Sequence, residues 1–133
     1  MMEHIKKINP LLLITILIFY TSCDTISPER DCKSFHFGNF FTETSVNGIT
    51  YKSTFSRNNS NIQIEEFEGK IDSSYVRWVN DCEMILSPIN PKNMSEKKNI
   101  FIKILTTNDS SYTYEYSYLG QSKKLKAKAI KIK

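Results

Sequence analysis

Few side chains in this chain are of the kinds that do chemistry, and their spacing narrows the choices. Of the two histidines, His4 lies near the start and His36 sits in Phe35-His36-Phe37. A Ser–His–acid arrangement would have to be built on His36, whose aromatic neighbours point to a structural ring instead. Glu65, Glu66, Glu68, Asp72, Asp81 and Glu83 are the carboxylates from which an acid–base pair for glycoside hydrolysis would come. They cluster around turns, where acidic residues are common, so they make no case for that reaction. The three cysteines, Cys23, Cys32 and Cys82, contain no CxxC spacing, and only His36 accompanies the last two. Zinc is therefore not expected. With four glycines in the chain there is no Gly-rich phosphate loop. The expectation is a protein without catalytic residues, metal or cofactor, and not an enzyme.

Binding residues are better represented. Trp78, Asp81 and Cys82 form the densest cluster. Either Trp78 stacks on a ligand that Asp81 hydrogen-bonds, or Trp78 fills a core, Asn80-Asp81 turns the chain and Cys82 joins Cys32. Arg57 and Glu65 flank Asn58–Asn61 and can pair across a hairpin, or Arg57 can hold a carboxylate or phosphate with two hydrogen bonds. Tyr112, Tyr114, Tyr116 and Tyr118 fall on one face of a strand. Such a face suits sugar stacking, a protein interface or a core layer. The lysines at 123, 124, 126, 128, 131 and 133 crowd the C-terminus. They read either as a solvated strand face that discourages edge pairing or as a basic rim for a polyanion. The formal net charge of +4 is ordinary and does not call for a nucleic-acid partner.

The N-terminus speaks about location. Lys6 and Lys7 precede Leu11–Tyr20 (LLLITILIFY), and Thr21-Ser22-Cys23 follows. A charged start, a short apolar run and small residues are the parts of a secretory signal. Ten helical residues reach roughly 15 Å, half of a ~30 Å hydrocarbon core, so cleavage fits better than a retained span. Cys23 just after the apolar run resembles the lipobox of bacterial lipoproteins, with Tyr20 in place of the usual aliphatic residue. The resemblance implies that Cys23 becomes the new N-terminus, carrying a diacylglyceryl thioether and a palmitate-type acyl group. Two or more chains hold firmly to a membrane where one does not. Cys32 and Cys82 then remain in an oxidising compartment, either as a disulfide closing about 50 residues, worth up to about 4 kcal/mol, or as free thiols or a metal pair.

Past the signal, the elements that must position these residues are strands. Asp24–Asp31 is polar, contains Pro28 and reads as a tether. Period two then runs almost throughout. The expected faces are Phe35, Phe37 and Phe41; Tyr51, Ser53 and Phe55; Ile62 and Ile64; Val76 and Trp78; Cys82, Met84 and Leu86; the tyrosines; and Leu125, Ala127 and Ala129. Ile100–Leu105 is apolar on both sides and reads as a central strand, and the phase slips at Ile130–Ile132 as a β-bulge would cause. Turn-like clusters at Val46–Gly48, Arg57–Asn61, Glu68-Gly69, Asn80-Asp81, Asn108–Ser110 and Gly120–Ser122, with a long loop at Ser87–Asn99, separate the runs. The fold expected is all-β, an antiparallel meander of seven or eight strands curled into a barrel or half-barrel; the alternative is a two-sheet sandwich. The division is a signal peptide at 1–22, lipidated cysteine and tether at 23–31, and a β domain at 32–133.

Two segments carry a further likeness. Phe55–Glu65 (FSRNNSNIQIE) and Val76–Leu86 (VRWVNDCEMIL), with its W-x-x-D-C-E core, resemble a group of small lipoproteins of flavobacteria and their relatives. The starting Cys32–Gly38 and the finishing Ile130–Ile132 fit the same likeness. It implies an envelope location and a β fold, and carries no reaction. The function expected is a lipoprotein of the bacterial envelope, its membrane partner reached through the lipid. Its β-barrel-like module would serve as a binding or structural unit for a small apolar ligand, a glycan or an envelope protein. The alternative is polyanion or nucleic-acid binding through the C-terminal lysine strand with the tyrosines.

Overall fold

Turn chemistry sets the register of the chain. Asn47-Gly48 and Glu68-Gly69 are two-residue hairpin loops in which both residues have positive φ (52° and 77°, 50° and 76°). That geometry matches the right-handed twist of the flanking strands. Elsewhere, side chains of Asn58, Asn80 and Asn108 accept from backbone N–H groups two residues on, at 3.0, 2.9 and 3.1 Å, holding the turns without regular pairing. The computed structural model describes residues 29–133. Between the turns run β1 (Gly38–Val46), β2 (Ile49–Arg57), β3 (Ile62–Phe67), β4 (Lys70–Asn80), β5 (Glu83–Pro88), β6 (Ile100–Thr107), β7 (Ser111–Tyr118) and β8 (Leu125–Ile132).

Each strand pairs antiparallel with the next, and β8 returns to β1 to close an eight-stranded barrel. The sandwich alternative is thereby excluded. Closure leaves no edge to guard and no centre either, so the doubly apolar β6 is not a central strand. Its Ile102 and Ile104 fill the interior while Phe101 and Leu105 lie half-buried outside. At mid-strand the outer wall carries Glu43, Lys52, Lys103, Glu115, Lys126 and Lys128, residues that alternate with the inward positions. A lipid-facing barrel would suffer about 2–4 kcal/mol for each such lysine at the midplane, so this wall is built for water.

Three expected facings are corrected. Lys33–Phe35 is a single 3-10 turn and not part of a strand; it drives Phe35 into the barrel and leaves Phe37 exposed. In β1 it is Phe40 and not Phe41 that is fully buried. In β3 the order is reversed: Gln63 and Glu65 line the inside, while Ile64 is 42% exposed. No bulge interrupts Ile130–Ile132, whose register with β1 is continuous; irregularities fall at Trp78/Asn80 and Ile104/Thr106. The polar tether also ends earlier than expected. Arg30 Nη1 donates to the Ile104 carbonyl at 2.7 Å and the Asp31 N–H to Thr107 Oγ1 at 2.9 Å, so both residues already belong to the barrel.

The 3-10 turn plugs one end. The Cys32–Cys82 disulfide, spanning 50 positions, ties it to the β4–β5 turn. Gly38 leads from the plug into β1 with φ +131°, where a Cβ would meet Lys131 Cε at 2.8 Å. That lysine crosses the glycine to donate to the Ser34 carbonyl at 2.9 Å. Glycine adopts that dihedral without strain, whereas a larger residue would be strained there and would displace the lysine.

Candidate functional site: the open end of the barrel

The residues singled out in the sequence divide between the two ends. Trp78, Asp81, Cys82, Arg57 and Tyr112 gather at the plugged end. The Trp78 indole stacks on His36 with ring centroids 3.6 Å apart and planes 16° apart. His36 Nε2 donates to the Asp81 carbonyl at 2.8 Å, while the Asp81 carboxylate, exposed, lies 3.8 Å from Lys33 Nζ. Trp78 is thus covered by the protein's own histidine and Asp81 shapes a turn; no mouth opens there.

Arg57 is the strongest correction. It does not pair with Glu65, which lies opposite Phe55 in the register, and it offers no free fork to an anion. Its side chain, 4% exposed, points into the barrel. Nη2 donates to the Phe35 carbonyl at 2.7 Å and to Tyr112 Oη at 2.9 Å, Nη1 to Gln63 Oε1 at 3.1 Å, and Nε to the His36 carbonyl at 3.2 Å. The guanidinium also lies 4.7 Å from the Phe40 ring centroid and 5.1 Å from that of Phe55. Carbonyl dipoles and ring faces thus take the place of a counter-ion.

The tyrosine face turns inward as a wall of the core, with Tyr112 2% and Tyr114 9% exposed. Ala127 and Ala129, also inward on the adjoining β8, give the rings room. Thr42 Oγ1 donates to the Lys128 carbonyl at 3.0 Å, so the Tyr114 hydroxyl, 3.1 Å away, donates to Thr42. Burial pushes the pKa of Tyr112, Tyr114 and Tyr116 up, keeping all three phenols neutral. Tyr112 and Tyr114 are inside, whereas Tyr118 is 45% exposed and lines a small surface pocket with Tyr116 and Lys123. Two lysines of β8 stand beside acids, Lys128 opposite Glu43 and Lys126 opposite Glu115, and Lys124 just before the strand lies 3.3 Å from Glu115.

The other end is open. Above Arg57 and Gln63 the lumen holds a cavity of about 180 Å³, walled by Leu86, Ile100 and Ile102 on one side and by Thr42, Thr44, Ser53, Tyr114 and Tyr116 on the other. Glu65 stands at its neck and is shared with an outer vestibule of about 300 Å³ under the β5–β6 loop. There Lys70 bridges Asp72 (3.6 Å) and Glu96 (3.4 Å). Glu96 also accepts from the Lys92 N–H at 2.9 Å, which pins the loop. Burial, reinforced by the neighbouring Asp72, raises the Glu65 pKa, and a hydrogen bond from Ser53 partly offsets the shift. Thr42, Thr44, Ser53 and Gln63 were not among the residues expected to form a site. The available signal was the polar inward phase of β1 after Phe40 and of β2 before Phe55. Cys23 lies outside the described residues.

Among those residues no cluster of His, Cys, Asp or Glu is arranged to hold a metal ion, and no helix is long and apolar enough to cross a membrane. No protein-family model, curated protein or solved structure matches the chain. The class the geometry defines is a small closed β-barrel, plugged at one end and open at the other.

Proposed function

We propose that this protein is a bacterial envelope lipoprotein, held to a membrane by acyl groups on Cys23, whose barrel binds a small ligand through its open end. The observation that carries the reading is the asymmetry of the lumen: side chains fill it from the plug to Gln63, and a part-apolar, part-hydroxyl cavity replaces them beyond. Small-ligand sites have this mix of apolar wall and few placed polar groups, often in a barrel mouth. The polarity of the barrel supports the anchor. The chain enters at the plugged end through Arg30, seven residues after Cys23. Seven residues span at most roughly 25 Å, so a lipid on Cys23 keeps the plugged end within that distance of the bilayer.

Mass spectrometry of the protein from its host tests the anchor. A chain beginning at acylated Cys23 is expected, with Cys23→Ser released from the membrane fraction; a Cys23→Ser form retained in membranes overturns it. Native mass spectrometry of the gently released protein tests the binding role. A bound small molecule that is lost when Ile102→Trp fills the cavity is the expected result, and a species retained in that folded variant overturns it.

A further inference from the structure

We infer that the open end is a site for a small organic ammonium ion, with its charged head on the Glu65 carboxylate among the tyrosines and its short apolar tail against Leu86, Ile100 and Ile102. The inference rests on the binding role proposed above and adds the chemical class. The other charges of the inner lumen and the acids of the rim have partners within the protein, while Lys92 and Lys98 line the outer vestibule, Lys98 against the Tyr118 ring. Arg57 at the base is held by two carbonyls, Gln63 and Tyr112. Asp72 and Glu96 on the rim share Lys70. Glu65 alone has no cation within salt-bridge distance among the described residues. A carboxylate drawn partly out of water without a counter-charge is unfavourable, and the same environment strengthens its attraction for a cation that arrives.

The walls favour the same class. Tyr114 and Tyr116 stand side by side with ring centroids 5.9 Å apart, and aromatic rings beside a carboxylate form the surroundings that recognise ammonium groups. The rim shows the same contact within the protein, where Lys98 Nζ lies 5.3 Å from the Tyr118 ring centroid. The Tyr114 hydroxyl is spent on Thr42, which leaves few free donors for a sugar. An anion that passed Lys70, Lys92 and Lys98 in the vestibule would still meet the Glu65 carboxylate at the neck of the inner cavity. A cavity of about 180 Å³ limits the buried portion to a handful of heavy atoms, too few for a fatty acyl chain.

The test is an NMR titration of the solubilised full-length chain at pH 8 with n-butylammonium, n-butanol and n-butyrate, three molecules of one shape and different charge. Millimolar affinities are expected for so few atoms. Butylammonium should shift the signals of Tyr114, Tyr116 and Ile102 with a Kd at least about tenfold below that of butanol, a difference typical of a hydrogen bond to a charged group. Butyrate should be weakest. Glu65→Gln should bring butylammonium to the level of butanol, and continued butanol binding shows that the cavity is intact. Butanol binding as tightly as butylammonium, or a preference that survives Glu65→Gln, overturns the ammonium assignment and leaves a neutral-ligand site. No shift with any of the three overturns the assignment and the binding role together.

Discussion

At the plugged end of the barrel each inward polar group meets a partner from the protein; at the open end the strands carry polar groups inward and leave room beside them. The contrast is between Arg57 and Glu65, which belong to neighbouring strands and both point into the lumen. Arg57 has lost its water and gained two carbonyls, an amide, a phenol and ring faces. Glu65 has lost part of its water and gained a hydroxyl from Ser53. A buried charge surrounded by donors or acceptors is part of the architecture, whereas one left short of them is a place for something else to bind. The plug turns one tube into two environments, because the carbonyls that satisfy Arg57 belong to Phe35 and His36, just ahead of β1.

If the plugged end is architecture, breaking it should unfold the protein. The largest effect expected is from removing the Cys32–Cys82 bond, which closes a loop spanning 50 positions. The loss should be about 4 kcal/mol in the chain-entropy account, read as a fall in the denaturation midpoint of the Cys32→Ser, Cys82→Ser double variant. Next comes Arg57→Met, which fits the space but leaves two carbonyls and Gln63 without their donor. About 3 kcal/mol should be lost, measured by urea unfolding. A loss below about 1 kcal/mol would mean that water replaces the guanidinium and that the plugged end is less closed than its geometry indicates.

The same division explains what the sequence made legible. The turns could be read because Asn47-Gly48, Glu68-Gly69 and the Asn side chains act within a few residues, and the disulfide because Cys32 and Cys82 are the pair left once Cys23 is set aside as the expected lipid site. The barrel followed from unbroken alternation between short turns. What failed was facing. Ile62 and Ile64 are more apolar than Gln63 and Glu65, so alternation alone turns the isoleucines inward, and the reverse holds because Gln63 serves Arg57. Phe35 could not be placed because a 3-10 turn of three residues is too short to show a period. Arg57 reads as a surface cation since its partners come from β3, β7 and the plug, none of which its neighbours in sequence announce. Cavities arise where strands bring small side chains together, so the only local trace of the open end was the polar inward phase of Thr42, Thr44 and Ser53.

Interior substitutions near the mouth should have smaller effects on stability. Tyr114→Phe removes the hydroxyl that donates to Thr42 and should cost about 1 kcal/mol, because Thr42 keeps its bond to the Lys128 carbonyl. Tyr112→Phe, at the plugged end, takes an acceptor from Arg57 and should cost more. Urea unfolding of the two variants compares the ends through one chemical change. Equal losses would show that the lumen is uniformly satisfied and would remove the contrast.

The smallest effect is also the one whose sign is diagnostic. Burial raises the Glu65 pKa above its ordinary value near 4.5, so the folded state holds the proton more tightly than the unfolded chain does. Its contribution is then fully present below about pH 4.5 and is lost as the pH climbs through the folded-state value. At neutral pH the ionised carboxylate therefore works against folding. Glu65→Gln should raise the urea midpoint at pH 7 and leave it nearly unchanged at pH 4. Arg57→Met should lower it at both pH values, since a guanidinium does not titrate there. A residue whose removal stabilises the empty protein at neutral pH is not retained for the sake of the fold. If Glu65→Gln instead destabilises at pH 7, the carboxylate has a structural partner, and the open end is architecture like the plugged one.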